Sequence, residues 1–237
     1  MLELRELVKC YRVGSGEPIL AVDHVSMKAA AGEFVALYGP SGSGKTTLLD
    51  LIAGLRRPDS GTVYVAGRDI FALSRRESDE YRLREVGIIG GSHTLMPGAR
   101  VVQNASLKLL MANARRSRSI EPLLERLGLA ERMWHRTEQL SMGERQRVLI
   151  AMALSLDPKL VLADEPTATL DTRRTREVLA LLREFCHERS VVVMLATHDP
   201  QATGFADHVH ELRDGRLGRY QPDHVPVAAS GSTPGRP

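Results

Sequence analysis

The chain has 237 residues, 43% apolar, 26% charged and only 4% aromatic, which suits one α/β domain with a full core or two small ones and excludes a disordered, fibrous or large multidomain protein. Its 32 basic and 29 acidic residues are intermixed and leave a net charge of +3, so no basic stripe points to nucleic acid. The longest apolar runs, such as those at 34–38 and 191–196, are of strand length and far short of the roughly 20 residues a membrane-spanning helix requires.

In chain order, short β-type runs are predicted at Leu2–Leu7, His24–Ala29 and Glu33–Tyr38, separated by turns at Gly14–Pro18 and Ala31–Glu33. The first residues alternate like a strand and lack the basic, apolar and small-residue order of a signal peptide, so export is not expected. After a glycine loop, a helix is expected from Thr46 to Leu55, ended by Gly54, Pro58 and Gly61, with a strand pair near Thr62–Val65 and Arg68–Ile70. Ser74–Arg84 reads as a charged helix, and apolar residues recur at helical spacing between about Val102 and Gln139, which predicts a helical insert. Two further apolar runs, Leu160–Ala163 and Val191–Ala196, flank a helical stretch Thr172–Glu188 and are expected to be buried central strands of a parallel sheet. The last residues, from about Gln221 to Pro237, hold four prolines with little to bury and are expected to form a disordered tail. Cys10 and Cys186 lie far apart without metal-binding spacing and are expected to be reduced thiols.

Three segments carry chemistry. Gly39-Pro-Ser-Gly-Ser-Gly-Lys-Thr46 fits G-x-x-x-x-G-K-[ST] between an apolar strand and a helical pattern. Such glycines let consecutive N–H groups turn toward a phosphate, Lys45 reaches the β- and γ-phosphates, and the Thr46 hydroxyl can bind Mg²⁺. Leu160-Val-Leu-Ala-Asp-Glu165 ends an apolar strand in two acids, placing Asp164 to hold Mg²⁺ through water and Glu165 to polarise an attacking water. Thr197-His198-Asp199 ends the next apolar strand in the same way, and ligand sites in open parallel sheets lie at the carboxyl ends of strands, so His198 is expected to converge on the γ-phosphate.

The most specific segment is Leu140-Ser-Met-Gly-Glu144, which precedes Arg-Gln-Arg-Val148. A helix starting here offers the Ser141 hydroxyl, backbone N–H groups and a helix dipole to an anion. With the phosphate loop and the Asp164/Glu165 strand, it resembles the ATP-binding-cassette (ABC) ATPases over about residues 2–218, since the segment is similar to the family's LSGGQ or LSGGE signature. Ala168-Thr-Leu-Asp171 resembles the family's D-loop, and Tyr11 is similar in placement to the aromatic that stacks on adenine.

The resemblance implies a P-loop NTPase with a RecA-like α/β core, an N-terminal antiparallel β subdomain and an inserted helical subdomain at about 91–148, in an ATPase domain of residues 1–220 followed by a tail at 221–237. It implies ATP and Mg²⁺ as ligands. Nucleotide would be held by Tyr11, Gly39, Pro40, Ser41, Gly42, Ser43, Gly44, Lys45, Thr46 and Thr47, and by Ser141, Gly143, Glu144 and Asp171; metal by Thr46 and Asp164; and catalysis would fall to Glu165 and His198. It further implies a head-to-tail homodimer with two sandwiched ATP molecules, each between one copy's Lys45 and the other's Ser141.

Leu73–Gly87, Thr94–Pro97 and Val102–Ser106 resemble the LolD/MacB/FtsE group, which implies a separate permease with a large extracytoplasmic domain and a place at the cytoplasmic face of the cell membrane. The expected role is the ATPase subunit of a transporter or mechanotransmission complex handling a lipid, lipoprotein, peptide or drug. The alternative is an FtsE-like nucleotide-gated module that signals through a membrane partner without transport. One phosphate loop argues against the two-cassette ribosomal proteins of the family, and the short span from Lys45 to Ser141 against the coiled-coil DNA-repair members.

Two positions depart from the family pattern. Glycine stands at position 91, where the Q-loop glutamine falls, with Ser92 and His93 as candidate substitutes and Gln103 too far along the chain; the Gly90-Gly91 pair is expected to hinge the helical subdomain. Met142 replaces the first signature glycine. Met142 is compatible with tolerated drift, since Ser141 and the backbone can still make the phosphate contacts, or with an adapted, slower ATPase; with Gly91 the expectation is intact ATP binding and dimerisation with modest or partner-dependent turnover.

Overall fold

Phe34 to Tyr38 and Val192 to Thr197 are almost wholly apolar, and runs of that kind are stable only when both faces of a strand are covered. The computed structural model, which describes residues 1–12, 18–90, 94–114 and 119–220, places them side by side at the centre of a sheet. In chain order the strands are β1 (Leu2–Tyr11), β2 (Ile19–Ala29), β3 (Phe34–Tyr38), β4 (Ser60–Val65), β5 (Arg68–Asp69), β6 (Val86–Gly90), β7 (Leu160–Asp164), β8 (Val192–Thr197), β9 (His208–Arg213) and β10 (Arg216–Arg219). The helices are α1 (Lys45–Ile52), α2 (Arg75–Glu80), α3 (Val101–Ala105), α4 (Leu107–Met111), α5 (Glu121–Arg126), α6 (Met142–Leu154), α7 (Thr172–Arg189) and α8 (Pro200–Thr203).

An antiparallel sheet has the order β2-β1-β4-β5; the second sheet has the order β10-β9-β3-β8-β7-β6 and is parallel from β9 through β6, with β10 antiparallel at its edge. Successive residues of a strand face opposite ways. Val35, Leu37, Leu160, Leu162, Val192 and Met194 therefore pack with α1 and the antiparallel sheet, while Phe34, Val161, Val193 and Leu195 face the second core, which includes Val148 of α6 and Val178, Leu182 and Phe185 of α7. Register aligns the strand ends: Tyr38 lies opposite Thr197, Ala196 opposite Asp164, and Asp164 opposite Gly90. The segments that follow β3, β7 and β8 thus leave from one edge.

The insert is helical, as expected, with α3 tied to the 133–135 turn by Val101 N–H to His135 O and Val102 N–H to Met133 O, both 3.0 Å. Its last helix, α6, runs unbroken to Leu154, beyond the expected limit at 148, and packs on β6. Two other expectations are corrected. The helix after the glycine loop stops at Ile52, because Gly54 takes a left-handed conformation. The charged stretch divides into α2, started by a reciprocal Ser74–Glu77 cap, and a wider π-type turn at Tyr81–Glu85 in which the buried Tyr81 hydroxyl donates to Ile52 O. Strands β6, β9 and β10 are additions to the sequence reading. No described helix is long and apolar enough to cross a membrane. The tail at 221–237 lies outside the described residues.

Both cysteines are free, and burial followed by the nearby Asp207 pushes the Cys186 thiol up to about 12. A cavity of about 610 Å³ separates α4 from the β6 edge, lined by Leu55, Leu83, Ile88, Met111 and the stem of Lys108, whose ammonium donates to Val86 O at 2.6 Å. Burial drives that ammonium down to about 8 from 10.5. A cation with a folded pKa below its unfolded value weakens the fold at neutral pH, and the penalty disappears as pH rises from about 8 toward 10.5, where the unfolded chain holds more protons. Lys108→Met is therefore expected to remove a pH-dependent rise in stability on the order of 3 kcal/mol between those limits, read from urea melts at pH 7 and pH 10.

Candidate nucleotide site

The loop between β3 and α1 ends at Gly44, which caps α1 in a left-handed conformation (φ 104°) and offers no side chain to its first N–H groups. A Cβ on Gly44 would lie 2.0 Å from Ala21 O, so only glycine fits between β2 and the helix. Lys45 is buried and its Nζ donates to Gly39 O at 2.7 Å and Pro40 O at 2.9 Å, folding the loop around the ammonium. Ser43 is also buried, and its Oγ has no partner. A helix start with uncapped N–H groups, an enclosed ammonium and an orphan hydroxyl fit a phosphate. Ser41, Gly42 and Thr46 are exposed at the mouth, and Thr47 is half-buried in the first turn of α1.

The strand ends meet this loop. Thr46 Oγ1 donates to Asp164 Oδ2 at 2.8 Å, giving a hydroxyl and a carboxylate of the hard-oxygen type that suits Mg²⁺. Burial raises the pKa of the Asp164 carboxyl above its ordinary value, against the Thr46 hydrogen bond, which lowers it. Glu165 has a left-handed backbone (φ 47°) that no glycine relieves. Its Oε1 lies 2.7 Å from His198 Nδ1 and 3.9 Å from Lys45 Nζ. The structure thus gathers Lys45, Thr46, Asp164, Glu165 and His198, predicted from three separate segments, at one sheet edge.

Tyr11 closes β1 opposite Ile19, two residues before the Ala21 that touches Gly44, and its ring is flanked by Arg56 at 5.6 Å and Lys9 at 5.8 Å. Asp171 caps α7, its Oδ1 accepting from Arg174 N–H, which lowers its pKa. Ser141 caps α6 in a reciprocal box: its Oγ accepts from Glu144 N–H at 3.3 Å, and Glu144 Oε2 accepts from Ser141 N–H at 2.8 Å. Glu144 also receives Arg132 Nε at 3.0 Å, and the Ser141 bond is the main cause holding its pKa down. Among the described residues the ties of this turn run to Arg132 and Arg174, and none of these joins it to the phosphate loop. Gly143 is buried in it, while Met142 stands 46% exposed.

Gly91, Ser92 and His93 lie outside the described residues. Gly90 itself is left-handed (φ 89°), and a Cβ there would lie 2.1 Å from Asp164 O. Gln103 does not serve the site, since its Oε1 accepts from Arg100 N–H at the start of α3.

Residues missed from sequence are Asp50 and Arg56, which line a cavity of about 260 Å³ with Thr46 and Asp164, and Arg174, which lies across Gly143. Asp50 accepts from Arg56 Nε at 2.8 Å, and the helical spacing of Asp50 from Thr46 was the one signal for it.

The family model described as ABC transporter matches residues 22–168. The LolD ATP-binding protein of the lipoprotein-releasing system of Anaeromyxobacter dehalogenans is 43% identical over 208 residues, covering 86% of this chain and 87% of that protein. The macrolide export ATP-binding/permease protein MacB of Rhodopirellula baltica is 41% identical over 221 residues, and the chain spans about a third (32%) of its length. Among solved structures, the dimeric post-hydrolysis state of the ATP-binding cassette MJ0796 bound to ADP and Pi has a TM-score of 0.82 at 32% identity, covering 92% of this chain and 97% of that one.

Proposed function

This chain belongs to the ABC transporter ATPase family, and from that premise we propose that two copies sandwich two ATP molecules head to tail and that their closure drives a separate membrane permease. The observation that carries the reading is the division of the site. Lys45, Thr46, Asp164, Glu165 and His198 share one sheet edge, whereas Ser141 and Asp171 cap two other helices, and the ties of the Ser141 turn do not reach the phosphate loop. A site split in this way is completed by a second copy.

In this reading Lys45 turns from the Gly39 and Pro40 carbonyls to the β- and γ-phosphates, and Tyr11 stacks on the base. Mg²⁺ held by Thr46 and Asp164 supplies charge neutralisation on the phosphates. Glu165 takes a proton from the water whose oxygen attacks the γ-phosphorus, the bond to the β-phosphate oxygen breaks, and ADP and phosphate leave. His198 orients Glu165 through the 2.7 Å contact and reaches a γ-phosphate oxygen. Loss of the γ-phosphate reopens the dimer.

We assign the chain to the cytoplasmic face of a membrane, beside a permease with a large extracytoplasmic domain, moving a lipid, lipoprotein, peptide or drug. The names of the LolD and MacB relatives, from a lipoprotein-releasing system and a macrolide exporter, support the transport part of this reading. ATP-driven movement of such a compound by purified complex in vesicles is the expected result; an ATP-dependent complex that moves none would favour signalling. The composite site has its own test. Ser141→Arg is expected to leave ATP binding by one chain within about twofold of the parent and to abolish ATP-dependent dimerisation, because it obstructs only the half-site offered to the other copy.

A further inference from the structure

Met142 and Gly143 are adjacent, yet their surroundings differ. Met142 faces solvent, whereas a Cβ on Gly143 would lie 3.2 Å from Cδ, 3.6 Å from Nε and 3.7 Å from Cγ of Arg174. The stem of Arg174 therefore crosses the first turn of α6, and its guanidinium ends 3.1 Å from Asp171 Oδ2. One side chain spans both capped helix starts, that of Ser141 and that of Asp171.

The placement is electrostatically unfavourable on its own. Arg174 sits in the first turn of α7 and against the first turn of α6, both positive dipole ends, and among the described residues the acid paired with it is the half-exposed Asp171. A second tie between these helices, Arg147 to Glu177 at 3.0 Å with Arg173 on the other oxygen, lies further along α7. Packing of α6 on α7 thus does not depend on Arg174.

We propose that Arg174 is a positioning residue that clamps the Ser141–Glu144 turn to the Asp171 turn, so that both meet the nucleotide bound by a second copy as one rigid edge. This rests on the sandwich-dimer reading above. It also accounts for the unequal substitution of the two signature glycines: bulk at Met142 points away from the clamp, and bulk at 143 would dislodge it.

The test uses the full chain with Glu165→Gln and MgATP, measuring the dimer dissociation constant by sedimentation and ATP affinity of the monomer separately. Arg174→Ala is expected to raise the dimer constant by about tenfold and leave monomer ATP affinity within about twofold, with Arg174→Lys restoring most of the loss. Gly143→Ala is expected to weaken the dimer in the parent but to add less than about twofold beside Arg174→Ala, since the group it strikes is gone. Glu177→Gln is the control for general helix packing and should leave the dimer constant within about twofold. Equal dimerisation by Arg174→Ala, an undiminished Gly143→Ala effect beside it, or a Glu177→Gln effect of the same size would overturn the clamp. Hydrogen exchange decides it independently of dimerisation. Amides of residues 142–146 should exchange about tenfold faster in Arg174→Ala, and unchanged exchange would reject the clamp even if the parent dimerises. Failure of the Glu165→Gln chain to dimerise with normal exchange changes would instead reject the sandwich reading.

Discussion

Glu165→Gln is expected to lower ATP turnover by roughly 10²- to 10⁴-fold, the range that a positioned general base contributes, while leaving ATP binding near the parent value. Glutamine matches the shape of glutamate and keeps an oxygen for His198, which stands 2.7 Å away, so the geometry survives and only the proton acceptor is lost. The left-handed backbone at Glu165 is unchanged by the substitution, so the effect belongs to the carboxylate and not to released strain. Phosphate release at saturating MgATP checks it. A variant within threefold of the parent would remove Glu165 from the chemistry.

Lys45→Ala should lower kcat/KM for ATP by at least roughly a hundredfold through loss of a buried, preorganised cation. The ammonium is enclosed by the Gly39 and Pro40 carbonyls, so its removal also leaves two acceptors without their donor, and some loss of thermal stability is expected alongside. Circular dichroism separates the two effects. Retention of helix and sheet signal with lost ATP binding supports the phosphate role, whereas intact ATP binding contradicts it.

The phosphate loop and the strand-end acids were legible because each is a contiguous segment with an apolar strand before it, and the parallel register then brings their ends together. The convergence of Thr46 on Asp164 follows from two local patterns and one sheet. Strand β6 was hidden because Gly87 and Gly90 leave only a short apolar run in it, and the Gly90-Gly91 pair reads as a hinge, although Gly90 is set by the approach of Asp164 O. The β9–β10 hairpin was hidden by polarity: His208, His210 and Glu211 lie on β9, which is flanked by β3 and the edge strand β10 and only partly covered, so it lacks the apolar run that marked β3 and β8. Arg174 was illegible for another reason. Nothing near it in sequence indicates Gly143, and their contact exists only once α6 and α7 are packed.

The family places the chain among ATPase subunits of transporter-type complexes, and the proposed composite site makes a second copy its central requirement. The most direct measurement is the solution mass of the Glu165→Gln chain by light scattering during gel filtration, with MgATP and with MgADP. A dimer mass with MgATP that returns to monomer with MgADP is the predicted result. A monomer under saturating MgATP, with ATP bound to each chain, would contradict the account.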